Sequence, residues 1–149
     1  MEIERKYLVT VPPSDYPTWE AVRMEQAYLC TEPVVRVRRE NDSYVLTYKS
    51  KGLLAREEYN LPLTKEAYEH LLSKADGIII TKTRYKKPIS GTGLVIELDV
   101  FSGTYKGLML AEVEFPDIEA AEQFVPPAWF GEDVTLSGKY QNSRLSQMR

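Results

Sequence analysis

Seven stretches of this chain alternate apolar and polar residues with period two, and their polar positions are sorted by the sign of charge. The stretches are residues 1–9, 34–39, 44–50, 56–61, 82–86, 94–101 and 108–115, and a shorter apolar piece at 27–30 predicts an eighth strand. Side chains at i and i+2 of a strand share a face. Glu2, Glu4 and Lys6 therefore point one way in the first stretch, and Arg36 and Arg38 do so in the next. Lys49 follows Thr47 on one face, and Arg56, Glu58 and Asn60 line another. Lys82, Arg84 and Lys86 form a basic row, while Glu97 with Asp99 and Glu112 with Glu114 form acidic ones.

Like charges at i and i+2 repel mildly in water and at higher cost away from it. One such pair fits a solvated sheet face, and a charge-balancing role is the plain alternative for each residue. Repetition over seven strands fits that poorly, because the opposite faces (Val35, Val37, Leu98, Val100, Val113) are apolar. If those faces pack outward against helices, the charged faces converge on an enclosed polar interior. Eight strands with few helices predict a mainly β chain, a closed eight-stranded antiparallel barrel forming a tunnel with a few flanking helices. Thr64 begins a capped amphipathic helix over 65–73, with Ala67, Tyr68 and Leu71 inward. Asp117 begins a second over 117–124, and a short third is expected near Gly138. The aromatic and proline-rich 126–130 stretch reads as a loop packed against the barrel. With 149 residues and no linker or repeat, one domain over 1–149 is expected.

A charged interior of this kind calls for two guests. Clustered carboxylates without histidine or cysteine neighbours suit a hard cation, Mg²⁺ or Mn²⁺. Clustered Arg and Lys suit a compact polyanion. A phosphate chain chelated to a divalent ion satisfies both. The lone Cys30 excludes an intrachain disulfide and a Cys/His zinc site, and the lone His70 reads as a surface residue. A net charge of −3 argues against nucleic acid as a partner. The charged N-terminus and the lack of a long apolar run predict no signal peptide and no membrane span, hence a cytoplasmic protein. Oligomeric state is left open, a homodimer included.

The motifs also resemble a known family. Glu2-Ile3-Glu4-Arg5-Lys6 is similar to the ExExK sequence that opens CYTH, or triphosphate tunnel metalloenzyme, proteins. It is followed in family order by Gln26-Ala27-Tyr28-Leu29, Val35-Arg36-Val37-Arg38, Leu46-Thr47-Tyr48-Lys49 and Lys82-Thr83-Arg84-Tyr85. Glu97-Leu98-Asp99-Val100-Phe101, Leu110-Ala111-Glu112-Val113-Glu114-Phe115 and Lys139-Tyr140-Gln141-Asn142 complete the series. The resemblance is greatest to the short bacterial inorganic triphosphatases. It implies Glu2, Glu4, Glu112 and Glu114 as metal ligands, with Glu58 and Asp99 serving a metal or its bound water. It also implies Arg36, Arg38, Lys49, Arg56, Lys82, Arg84 and Lys86 as holders of phosphate oxygens, and Lys6 with Tyr28 beside the attacked phosphorus. The implied reaction is metal-dependent hydrolysis of tripolyphosphate, with ATP a second candidate substrate. Class IV adenylyl cyclase or organic triphosphatase activity, and a polyphosphate-binding module without turnover, are the alternatives. One departure stands out: Asn60 occupies a position where relatives often carry an acid, and it is expected to project into the tunnel as a depleted second metal site.

Overall fold

The computed structural model describes residues 1–147. Its strands are β1 (Glu2–Leu8), β2 (Glu20–Thr31), β3 (Val34–Glu40), β4 (Ser43–Lys49), β5 (Ala55–Arg56), β6 (Glu58–Pro62), β7 (Asp76–Pro88), β8 (Val95–Ser102) and β9 (Met109–Glu114). They form one antiparallel sheet in the order β5-β1-β9-β8-β7-β2-β3-β4-β6. β5 and β6 are consecutive pieces of the single strand expected over 56–61, parted at Glu57, where Ser50 N–H donates to the Glu57 carbonyl at 3.0 Å. β5 pairs with β1 through Glu2↔Arg56 and Ile3↔Ala55, and β6 pairs with β4. This broken strand nearly closes the barrel. Nine segments thus stand where eight strands were expected.

Two strands are much longer than their alternation predicts. β2 starts at Glu20, seven residues before the expected piece, and β7 starts at Asp76, six before. Both lie mid-sheet, and the added lengths are held by pairing between β2 and β7, which satisfies backbone groups whatever the side-chain pattern. Ile78-Ile79-Ile80 carries no alternation at all. The register of β2 also shifts between Gln26 and Tyr28 against β7, and between Tyr28 and Cys30 against β3.

The outer face is covered as the parity argument requires. Helix α1 (Lys65–Leu72) lays Tyr68 on Ala27 and Val37, and the Thr64 hydroxyl accepts from Ala67 N–H at 3.0 Å at its start. Helix α2 (Ile118–Gln123) and the 124–130 segment cover β1, β9 and β8, with Phe130 4.8 Å from the Tyr7 ring. Helix α3 (Asn142–Leu145) starts later than expected and sits at one end of the barrel. There the inward rows turn apolar: Val34, Ile80, Phe101 and Leu110 pack with Val134 and Leu145. The C-terminal segment therefore closes one end of the expected tunnel.

Candidate active site

Inside the barrel the same-sign rows meet, as buried as a hydrophobic core. Lys6, Arg36, Arg38, Lys49, Lys82, Arg84, Asp99 and Glu112 are all at most 9% exposed. Charges so removed from water must be paired or held by hydrogen bonds. Most are. Lys6 Nζ lies 3.3 Å from Glu112 and donates to the Tyr140 carbonyl at 3.0 Å. Glu2 bridges Lys49 at 3.0 Å and Arg56 at 3.2 Å. Arg84 donates two bonds to Asp99, at 2.8 and 2.9 Å, and reaches Glu97 at 3.4 Å and Glu112 at 3.5 Å.

A cavity of about 150 Å³ opens among these groups, large enough for a few phosphate-sized moieties. Glu2, Glu4, Lys6, Tyr28, Arg36, Arg38, Lys49, Arg56, Glu58, Arg84, Glu112 and Glu114 all line it. The structure thus brings twelve expected site residues to one cavity. Lys82, Lys86 and Asp99 do not line it. Lys82 Nζ is fully buried 2.6 Å from Asp99, which also receives both Arg84 bonds, so this pair stands behind Arg84. Lys86 opposes Glu97 across β7 and β8 and is half-buried.

The two sides of the cavity differ in how well their charges are satisfied. Burial works against the Glu112 carboxylate, yet Lys6, then Arg84, hold it well below the usual carboxylate range. Lys6 is disfavoured by burial, but Glu112 and Glu4 keep it above its ordinary value, hence cationic. Glu4 is the exception. Burial, then the Glu112 and Glu2 carboxylates, push it up to about 8. It stands directly opposite Glu114 across β1 and β9, and burial with Glu2 and Glu58 raises Glu114 as well. Neither acid forms an ion pair among the described residues. Two facing carboxylates short of positive charge are what a divalent cation would satisfy, and all-oxygen donors suit Mg²⁺ or Mn²⁺. Among the described residues, no three acids converge at ligand distance in this side-chain arrangement. On the cationic side, burial, then Arg36 and Arg84, lower Arg38 to about 10. Arg36 Nε is buried without a hydrogen-bond partner among the described residues. Unsatisfied donors on one wall and unsatisfied carboxylates on the other leave room for an anion carrying a metal.

Several residues in or behind the cavity wall carry no charge that would betray them. Gln26 accepts from Arg38 Nε at 2.7 Å behind the wall, and Thr47 accepts from Arg36 at 3.3 Å. Thr47 shares a face with Lys49, the one signal that could have found it, whereas Gln26 stands between Met24 and Tyr28 on its face and meets a charge only across the sheet, at Arg38. Asn142 and Ser143 enter the cavity from α3, and nothing periodic marks them. Asn60 does not line the cavity. Its carbonyl accepts from Thr47 at 2.5 Å and its amide donates to Glu58 at 2.9 Å, so both ends are engaged.

A nearly closed antiparallel barrel with paired acidic and basic walls defines an enclosed-site, phosphate-handling class of β protein. The chain belongs to the CYTH family, whose domain matches residues 1–149. It is 40% identical over 148 residues to an inorganic triphosphatase of Nitrosomonas europaea, covering 97% of this chain and 96% of that protein. It is 37% identical over 152 residues to an inorganic triphosphatase of Acetivibrio thermocellus, covering 97% and 92%. A crystal structure of an inorganic triphosphatase superposes with a TM-score of 0.73 at 38% identity, covering the whole chain and 96% of its own.

Proposed function

We propose that this protein hydrolyses inorganic tripolyphosphate to pyrophosphate and phosphate within the barrel, with Mg²⁺ or Mn²⁺ bound. One observation carries the reading: a single cavity is lined by five buried cations and by the facing Glu4 and Glu114, both raised by burial and by neighbouring carboxylates. Full-length similarity to two inorganic triphosphatases supports it.

Glu4, Glu114, Glu2 and Glu112 are assigned to hold the metal, with Glu58 at its edge. When bound, the ion neutralises phosphate oxygens and supplies electrophilic stabilisation at the reacting phosphorus. The remaining work falls to the protein's own groups, chiefly positioning and charge. Arg36, Arg38, Arg84, Lys49 and Arg56 hold phosphate oxygens, and Lys6, cationic and beside Tyr28 on the cavity wall, steadies the attacked group as a donor. Water attacks the terminal phosphorus, the bond from that phosphorus to the bridging oxygen breaks, pyrophosphate leaves, and the proton lost by the water ends on the released phosphate. Glu58, brought down to about 2 against its burial by hydrogen bonds with Glu2 and Asn60 and by Lys49, is a poor base. Asp99, saturated by Lys82 and Arg84, is assigned to orienting Arg84.

A second reading, hydrolysis of an organic triphosphate, draws on a 350 Å³ cavity that adjoins the site at Val34, Arg56 and Ser143. It has room for a substituent on the phosphate chain. Assaying tripolyphosphate, ATP and thiamine triphosphate with each metal, scoring phosphate and cyclic AMP separately, decides between them. Phosphate release fastest from tripolyphosphate supports the main reading. Preference for ATP or thiamine triphosphate, or cyclic AMP formation, overturns it.

A further inference from the structure

On β3, β4 and β6 three inward residues lie side by side in register, Arg36 opposite Thr47 and Thr47 opposite Asn60. Thr47 is fully buried and has one hydroxyl proton. That proton goes to the Asn60 carbonyl at 2.5 Å, which leaves the oxygen lone pairs facing Arg36 Nη2 at 3.3 Å. Arg36 Nε, buried, keeps a free donor among the described residues. The amide of Asn60 also donates along its own strand to Glu58 at 2.9 Å, and Glu58 in turn meets Lys49 of β4 at 3.5 Å.

We propose that Asn60 is a positioning residue, acting through Thr47 to hold the Arg36 guanidinium and through Glu58 to hold Lys49. Only a side chain with both an acceptor and a donor completes this path. A carboxylate at position 60 could accept from Thr47, but it would face Glu58 with a like charge and no proton to give. Asn60 is therefore a fixed link between the partners of Arg36 and of Lys49, in place of the depleted metal ligand that its position in the sequence suggests. The inference rests on Arg36 serving the polyanion, as in the function proposed above, but the link itself can be observed without catalysis.

The test follows Arg36 in the metal-free protein through its guanidinium N–H signals in ¹⁵N-resolved NMR, assigned by Arg36→Lys. Thr47→Val and Asn60→Ala should each displace the Arg36 Nε–H signal, and the double variant should add little to either. Thr47→Ser, which keeps the hydroxyl, should restore the native signal. With saturating Mg²⁺, the same two variants should raise the tripolyphosphate KM about tenfold, which is about 1.4 kcal/mol, with a smaller change in kcat. An Arg36 signal unmoved by Asn60→Ala, or additive displacements in the double variant, overturns the link. A link present by NMR in a wild-type protein that does not turn over tripolyphosphate overturns the functional reading alone.

Discussion

Glu4 is a residue whose chemistry the fold alters strongly. Its carboxyl, buried beside Glu112 and Glu2, is pushed up to about 8, far above its value in an unfolded chain. The folded protein therefore holds this proton through a pH window in which the unfolded chain has released it. Stability contributed by the protonated form is full below the unfolded pKa and falls as pH rises towards 8. In the metal-free protein, Glu4→Gln should flatten that fall, so wild type and variant diverge between about pH 5 and 8. Urea unfolding across this range checks it, and parallel curves would remove the shift. The same variant should stay folded and lose Mg²⁺-dependent turnover, since one ligand's charge goes while its shape remains. Arg38 makes the complementary case. Arg38→Ala should weaken tripolyphosphate binding by about 1.5–3 kcal/mol, the scale of a hydrogen bond to a charged group. Titration calorimetry gives the affinity. Stability should move by under about 1 kcal/mol, because Gln26 loses a partner while repulsion from Arg36 and Arg84 is relieved. A large stability loss with unchanged affinity would mean that Arg38 merely balances charge.

Among the elements, the broken β5–β6 strand matters most to the site, because it carries Arg56 to Glu2 and Glu58 to Lys49. Its approach depends on Gly52, whose φ of 137° disfavours any side chain, and where an added Cβ would stand 2.4 Å from the Ala55 carbonyl oxygen. Gly52→Ala should push β5 away from β1, lowering turnover together with Tm. A variant with native Tm and native kinetics would show that this turn does not set the closure. The Arg56–Asn60 alternation was readable because its parity is regular, yet the break at Glu57 was not, since it follows from which neighbour each half finds. β2 and β7 were half-hidden for a related reason: Glu20–Arg23 owe their extended form to β7, and Asp76–Ile80 owe theirs to β2. Local pattern does not carry that information. Thr64 and Asp117 were legible as helix starts, because capping is a local interaction and both side chains accept from the N–H three residues on.

For the molecule as a whole, the interior sets cations and acids against one another where an ordinary barrel would place apolar side chains. A bound polyanion with its metal supplies the missing partners to both walls, so the complex should be markedly more stable than the free protein. At a ligand concentration one hundred times Kd the gain is about 2.7 kcal/mol. For a chain of this length that is a rise in Tm of several degrees, on the order of 5–10 °C. Melting curves with tripolyphosphate and Mg²⁺ together, and with each alone, check this, and no joint shift would count against the shared cavity. What the sequence determined by itself was the sorting of charge by parity, and with it the barrel, the polar interior and most of the residues lining the cavity. Parity is a property of the chain, so it survives without knowledge of neighbours. What only the tertiary structure decided were matters of partnership between distant segments: the withdrawal of Lys82 and Asp99 behind Arg84, the engagement of Asn60 with Thr47 and Glu58, and the closing of one end by α3. Each depends on which strand lies beside which and in what register, and a pairing between residues 13 or 17 positions apart leaves no periodic trace in the sequence that forms it.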